Sequence, residues 1–160
     1  MRFTLIAVLV MVLSAAFVPQ AMAQQYYAAT LDGGQVVLPS GSPATGTACF
    51  ALNTDNTLDY LVSYAGLVGD ETGAHIHGPA PAGVNAGVVF GFALGTPKAG
   101  TFGPLTAQQV SDLGDGLYYV QIHSTAFPGG EIRGQIVPSG TPCAVPTEGS
   151  TWGAVKALYR

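Results

Sequence analysis

The stretch Thr57-Leu58-Asp59-Tyr60-Leu61-Val62-Ser63-Tyr64, entered through Asn53-Thr54-Asp55-Asn56, decides the fold class. Leu58, Tyr60, Val62 and Tyr64 fall on one side of an extended chain, and Asp59, Leu61, Ser63 and Ala65 on the other. That two-residue period is the mark of a half-buried strand, with Leu61 interrupting the polar face. Asn and Asp tolerate left-handed backbone and bond their own main chain, so 53–56 reads as a hairpin turn. Working outward, the same pattern of short β-branched and aromatic runs between Gly, Pro, Asn, Asp and Ser predicts further strands. These are Tyr26–Leu31, Gly46–Leu52, Ala74–His77, Gly87–Leu94, Leu117–His123 and Glu131–Val137. One short helix is expected over Thr106–Leu113, with Thr106 as cap and Gln109 reaching back to it. Seven short strands at this spacing predict an all-β domain, a Greek-key antiparallel β-sandwich or barrel.

Composition agrees. Only 9% of the 160 residues are charged, and 22 Gly and 11 Pro make the chain turn-rich, which argues against a helical bundle, a coiled coil or an acidic disordered tail. Five basic against nine acidic residues leave a formal charge of −4 with no basic patch, so neither nucleic acid nor an anionic membrane surface is an expected partner.

Met1-Arg2, the apolar run from Phe3 to Val18 and the small-residue site Ala21-Met22-Ala23 form a secretory signal pattern, with cleavage expected after Ala23. The run is shorter than the ~20 residues that cross a bilayer, and no membrane span is expected after cleavage. The predicted organisation is a signal peptide over 1–23, a β domain over 24–138, and a linker with a short tail over 139–160, in which Trp152–Arg160 forms a brief helix. Export to a secreted, periplasmic or extracellular location favours a disulfide between the two cysteines, Cys49 and Cys143.

The chain has three histidines, which fall as His75-Ile76-His77 and His123. In a strand, residues i and i+2 share a face, so His75 and His77 project side by side, ~7 Å apart at Cα, with Ile76 opposed. An adjacent strand ending in His123 can bring a third imidazole to the same point. Three neutral imidazoles suit Cu(II) or Zn(II), and the affinity order favours copper over zinc. The competing reading is a set of surface or hydrogen-bonded histidines with no ligand.

Arg133 and Lys98 are the only cations between Tyr26 and Pro138. Alternation puts Glu131, Arg133 and Gln135 on one face and Ile132 and Ile136 on the other. Arg133 is either a surface ion-pair partner of Glu131 or a guanidinium near the metal that attracts a small anion. No GxSxG elbow, P-loop, GxGxxG or HExxH occurs, and Asp112 and Asp115 read as solvated turn residues.

Together Thr72-Gly73-Ala74-His75-Ile76-His77-Gly78-Pro79-Ala80, Gly87-Val88-Val89, Leu117-Tyr118-Tyr119-Val120-Gln121-Ile122-His123-Ser124 and Gly129-Gly130-Glu131-Ile132-Arg133-Gly134-Gln135-Ile136 resemble the CHRD domain. That is the module repeated in chordin and found singly in secreted bacterial proteins. CHRD domains are in turn similar to a pared-down Cu/Zn superoxide dismutase, a Greek-key barrel with an HxH pair, a later histidine and an arginine beside copper. The resemblance implies copper held by His75, His77 and His123, with Arg133 guiding a small anion such as superoxide. It gives no counterpart for the zinc ligands, since 78–86 contains no His, Asp or Glu. Two functions follow: a copper protein with redox turnover or metal storage, or a non-catalytic module that binds a protein partner at the cell surface. Whether the chain is an enzyme, and its oligomeric state, stay open at this stage.

Overall fold

The computed structural model describes residues 24–142. The signal segment 1–23, Cys143 and with it the expected disulfide, and the tail 152–160 lie outside the described residues. The described chain is nine antiparallel strands with one short helix, and the strands wrap into a nearly closed barrel. They are β1 (Gln25–Asp32), β2 (Thr45–Leu52), β3 (Leu58–Ala65), β4 (Glu71–His77), β5 (Val88–Gly91), β6 (Lys98–Phe102), β7 (Tyr119–Ser124), β8 (Ile132–Gln135) and β9 (Val137–Ser139). Their order across the sheet is β5-β4-β7-β8-β1-β2-β3-β6, with β9 alongside β1.

The β2–β3 hairpin forms around the predicted turn, where Asn56 takes a φ of 64° and its amide donates to the Asn53 carbonyl at 3.0 Å. Leu58, Tyr60 and Val62 enter the core with Tyr64 packed against it. The opposite face of β3 is not polar surface, because Asp59 and Leu61 are buried too; the Asp59 carboxylate is satisfied by the Thr101 hydroxyl at 2.6 Å. The helix α1 (Ala107–Gly114) starts at Thr106 with both bonds of a capping box, as the sequence predicts. Asp112 of α1 is buried and accepts from the Gln108 amide at 2.9 Å, so it is no solvated turn residue.

Several strands depart from the sequence reading, and β4 begins at Glu71 rather than at the expected Ala74. The run Gly87–Leu94 pairs only over Val88–Gly91. The run Glu131–Val137 breaks at Ile136, whose amide turns aside to the Tyr118 carbonyl, and β9 then pairs with β1. The strand Lys98–Phe102, short and carrying a lysine and a glycine, has no periodicity of its own and takes its conformation from pairing with β3.

The barrel interior is apolar: Leu31, Phe50, Leu58, Val62, Ile76, Val120, Ile122, Ile132 and Ile136 are all buried within it. At the seam, the edge strands β5 and β6 are joined by side chains. Phe90 stacks on Phe102 with centroids 4.4 Å apart, and Tyr60 meets Phe90 and Phe92 edge-on. Beside them Lys98 forms a buried ion pair with Glu71 of β4 at 2.5 Å and also donates to the Ala93 and Gly95 carbonyls. Burial pushes the Glu71 carboxyl up, but Lys98, the Tyr64 hydroxyl and the Gly95 amide outweigh it and hold it below the usual carboxylate range.

Candidate metal centre

Alternation along β4 turns Ala74 and Ile76 into the core and sends Gly73, His75 and His77 to the outer face. The neighbouring strand β7 does the same, with Val120 and Ile122 inward and Tyr119, Gln121 and His123 outward. Register then sets opposite one another Gly73 and His123, His75 and Gln121, and His77 and Tyr119. Gly73 is decisive in this ladder, because a Cβ there would stand 3.0 Å from Cε1 of His75. The bare position opposite His123 leaves room for imidazoles to lean together.

They do so. The ligating nitrogens of His75, His77 and His123 all lie within 4.8 Å of one another, and the three ring centroids are 5.2–5.9 Å apart. His77 is buried and the other two are half-buried. The sequence expectation that all three imidazoles share one location is met.

Hydrogen bonds fix which nitrogen two of the rings present. His77 Nδ1 lies 3.0 Å from the Ala86 carbonyl, and His123 Nδ1 lies 2.9 Å from the Pro128 carbonyl. A carbonyl only accepts, so each Nδ1 carries the proton and each Nε2 of the neutral ring offers a lone pair. His77 Nε2, His123 Nε2 and His75 Nδ1 are buried with no hydrogen-bond partner. Three buried ring nitrogens left unsatisfied in one place are costly unless something fills the space between them. Backbone carbonyls that orient the second nitrogen are the usual support of metal-ligating histidines.

Burial favours the neutral form of His75 and His77. Burial lowers the His75 pKa, and the neighbouring His123 and His77 lower it further. Burial also lowers that of His77, assisted by His123 and Arg133 and opposed by the bond to Ala86. Neutral imidazole is the form that ligates a metal.

Two loops cover the centre. The 78–87 loop is closed by the Gly78 amide on the Gly87 carbonyl at 3.1 Å, and the Tyr119 hydroxyl accepts from the Ala86 amide at 2.9 Å. In the 125–130 loop the Gln121 side-chain amide donates to the Gly129 carbonyl at 2.5 Å, next to the carbonyl that receives His123. Sequence reasoning passed over Gln121 and Tyr119; their one signal was a place on the same alternating face as His123.

Arg133 is 1% exposed, not at the surface, and it makes no ion pair with Glu131, whose carboxylate takes the Ser42 hydroxyl and the Val68 amide. Its guanidinium carbon lies 3.5 Å from the centroid of the Tyr119 ring, and that ring is stacked on His77 at 5.1 Å with 6° between planes. Arg133 also donates to the Val84 carbonyl at 3.0 Å and to the side-chain oxygens of Asn85 and Gln135. In strand order β7 lies between β4 and β8, so Tyr119 intervenes between the arginine and the triad.

An outward-facing histidine triad on an antiparallel β-barrel defines the class to which this chain is assigned by structure. A family model for the CHRD domain matches residues 27–136, and the chain belongs to that family. CHRD domains are typically extracellular. No solved structure matches the chain. Among the described residues, no helix is long and apolar enough to cross a membrane.

Proposed function

We propose that this CHRD domain is a secreted copper-binding module in which His75 Nδ1, His77 Nε2 and His123 Nε2 hold the ion. The observation that carries the reading is the convergence of three buried, partnerless imidazole nitrogens. Bonds of about 2.0–2.1 Å, the length of zinc–imidazole bonds, allow two ligand nitrogens to stand no more than about 4 Å apart. The rings therefore draw in modestly on binding. Three histidines with an open position suit either metal, and copper is favoured because it stands above zinc in the affinity order.

Bound copper would supply one-electron redox chemistry. The protein's own part is to hold the two Nδ1 protons on backbone carbonyls, to shield the rings with the two loops, and to place the Arg133 charge behind Tyr119. That charge favours a small anion, such as superoxide, near the site through its field rather than by contact. Storage without turnover uses the same ligands.

The test is to load the protein with copper and with zinc separately and to measure stoichiometry and superoxide turnover for wild type and His77→Ala. One copper per chain, lost in His77→Ala, supports the reading, and turnover separates dismutation from storage. A wild type that binds neither metal refutes it and leaves a cell-surface interaction module as the surviving function.

A further inference from the structure

We propose that Arg133 sets the oxidation state preferred at the triad, favouring monovalent over divalent copper; this rests on the reading that the triad holds copper. The donors themselves contribute no charge, since each imidazole ligates as the neutral ring. Among the described residues no carboxylate joins the cluster. A divalent ion there has no negative ligand to offset it.

Arg133 adds a full positive charge with no carboxylate paired to it among the described residues. It is 1% exposed, and its partners are the Val84 carbonyl, the Asn85 and Gln135 side-chain oxygens and the face of Tyr119, all uncharged. The nearby buried acids do not contact it: Glu71 pairs with Lys98, and the Glu131 carboxylate is turned to the Ser42 hydroxyl and the Val68 amide. Among the described residues Arg133 has no ion-pair partner.

The guanidinium acts through one stacked ring. It lies 3.5 Å from the Tyr119 centroid, and the His77 centroid lies 5.1 Å from the same point. Repulsion from a fixed cation scales with the charge of the ion, so it opposes the divalent state by one unit more than the monovalent. At about 10 Å and an effective dielectric of about 20, that unit shifts the equilibrium between the two states roughly tenfold. Burial of the arginine behind the 82–86 loop limits screening by salt.

The experiment measures Cu(I) affinity anaerobically against a chromophoric Cu(I) chelator, and Cu(II) affinity by competition with glycine, on the mature chain. Wild type, Arg133→Gln, Arg133→Lys and Asn85→Asp are compared. The ratio of Cu(I) to Cu(II) association constants is expected to fall about tenfold in Arg133→Gln and to stay within about twofold in Arg133→Lys. In Asn85→Asp a carboxylate replaces an existing acceptor of Arg133 at an exposed position, and the ratio falls in the same direction by about two- to threefold. Circular dichroism establishes folding; if Arg133→Gln does not fold, Asn85→Asp carries the test. An unchanged ratio in Asn85→Asp, or an equal fall in Arg133→Lys and Arg133→Gln, overturns the charge assignment while copper binding stands. A wild type that binds neither oxidation state overturns the triad reading, and this inference with it.

Discussion

Replacing Lys98 with methionine removes the cation from the most enclosed ion pair of the described fold. The side chains of Lys98 and Glu71 are 2% and 7% exposed and 2.5 Å apart. Methionine matches the lysine stem in length and leaves the Glu71 carboxylate buried with only the Tyr64 hydroxyl and the Gly95 amide as donors, each at 2.6 Å. Breaking a buried pair from one side costs about 3–5 kcal/mol, because an uncompensated charge remains. Against a total stability of about 5–15 kcal/mol for a domain, that is a large share. The expected melting temperature falls by at least about 10 °C. Urea denaturation followed by circular dichroism measures the loss, and Glu71→Gln added to Lys98→Met is expected to recover a substantial part of it by removing the stranded charge. The pH dependence checks the cause. Glu71 is held below its ordinary range in the fold, so the unfolded chain binds its proton more readily. The pair's contribution is therefore complete above the unfolded carboxyl pKa of about 4.3 and is lost as pH falls through the lowered folded value. Lys98→Met flattens this dependence. A loss below about 1 kcal/mol, the value of an exposed pair, refutes the reasoning.

Gly73→Ala places a Cβ 3.0 Å from Cε1 of His75, and metal affinity, read by competition titration, is expected to weaken about tenfold or more while the fold persists. Gly130→Ala brings a Cβ 2.0 Å from Gln121 Nε2 at a φ of 128°, and it should cost about 1–3 kcal/mol in urea denaturation through strain in the loop that supports His123. The metal-free protein should lose stability as pH falls from about 6.5, because the His75 and His77 pKa values are lowered in the fold and the unfolded chain takes up their protons first. Urea midpoints at pH 7.5 and 5.5 for wild type and a His75→Asn/His77→Asn double variant check this, and equal pH dependence in the two would contradict it.

What the sequence made legible was whatever rests on alternation and local turn chemistry. β1, β2 and β3 appear within a residue or so of their predicted limits because turn residues bound each run and its β-branched and aromatic content favours a strand. The capping box of α1 is four residues of local chemistry, and it forms as expected. β6 was missed because Lys98-Ala99-Gly100-Thr101-Phe102 carries no periodic signal, and its lysine is buried by Glu71, a partner 27 residues earlier. Arg133 was ambiguous for the same reason. Its parity was readable, but its burial depends on Tyr119 and the 84–85 loop, which tertiary pairing brings over it.

The triad was legible in its membership, while its ligating atoms were not. Parity put His75 and His77 on one face, but the meeting with His123 depends on β4 and β7 being sheet neighbours in this register. A slip of one residue between these strands would turn one partner's set to the opposite face and bury imidazoles among Ile76, Val120 and Ile122. The apolar set that fills the barrel therefore also fixes the position of the histidines outside it. Core and site are separable all the same, because the two sets sit on opposite faces. Truncating Ile76 weakens the fold that holds the site, whereas removing His77 removes a ligand and leaves the interior packing in place.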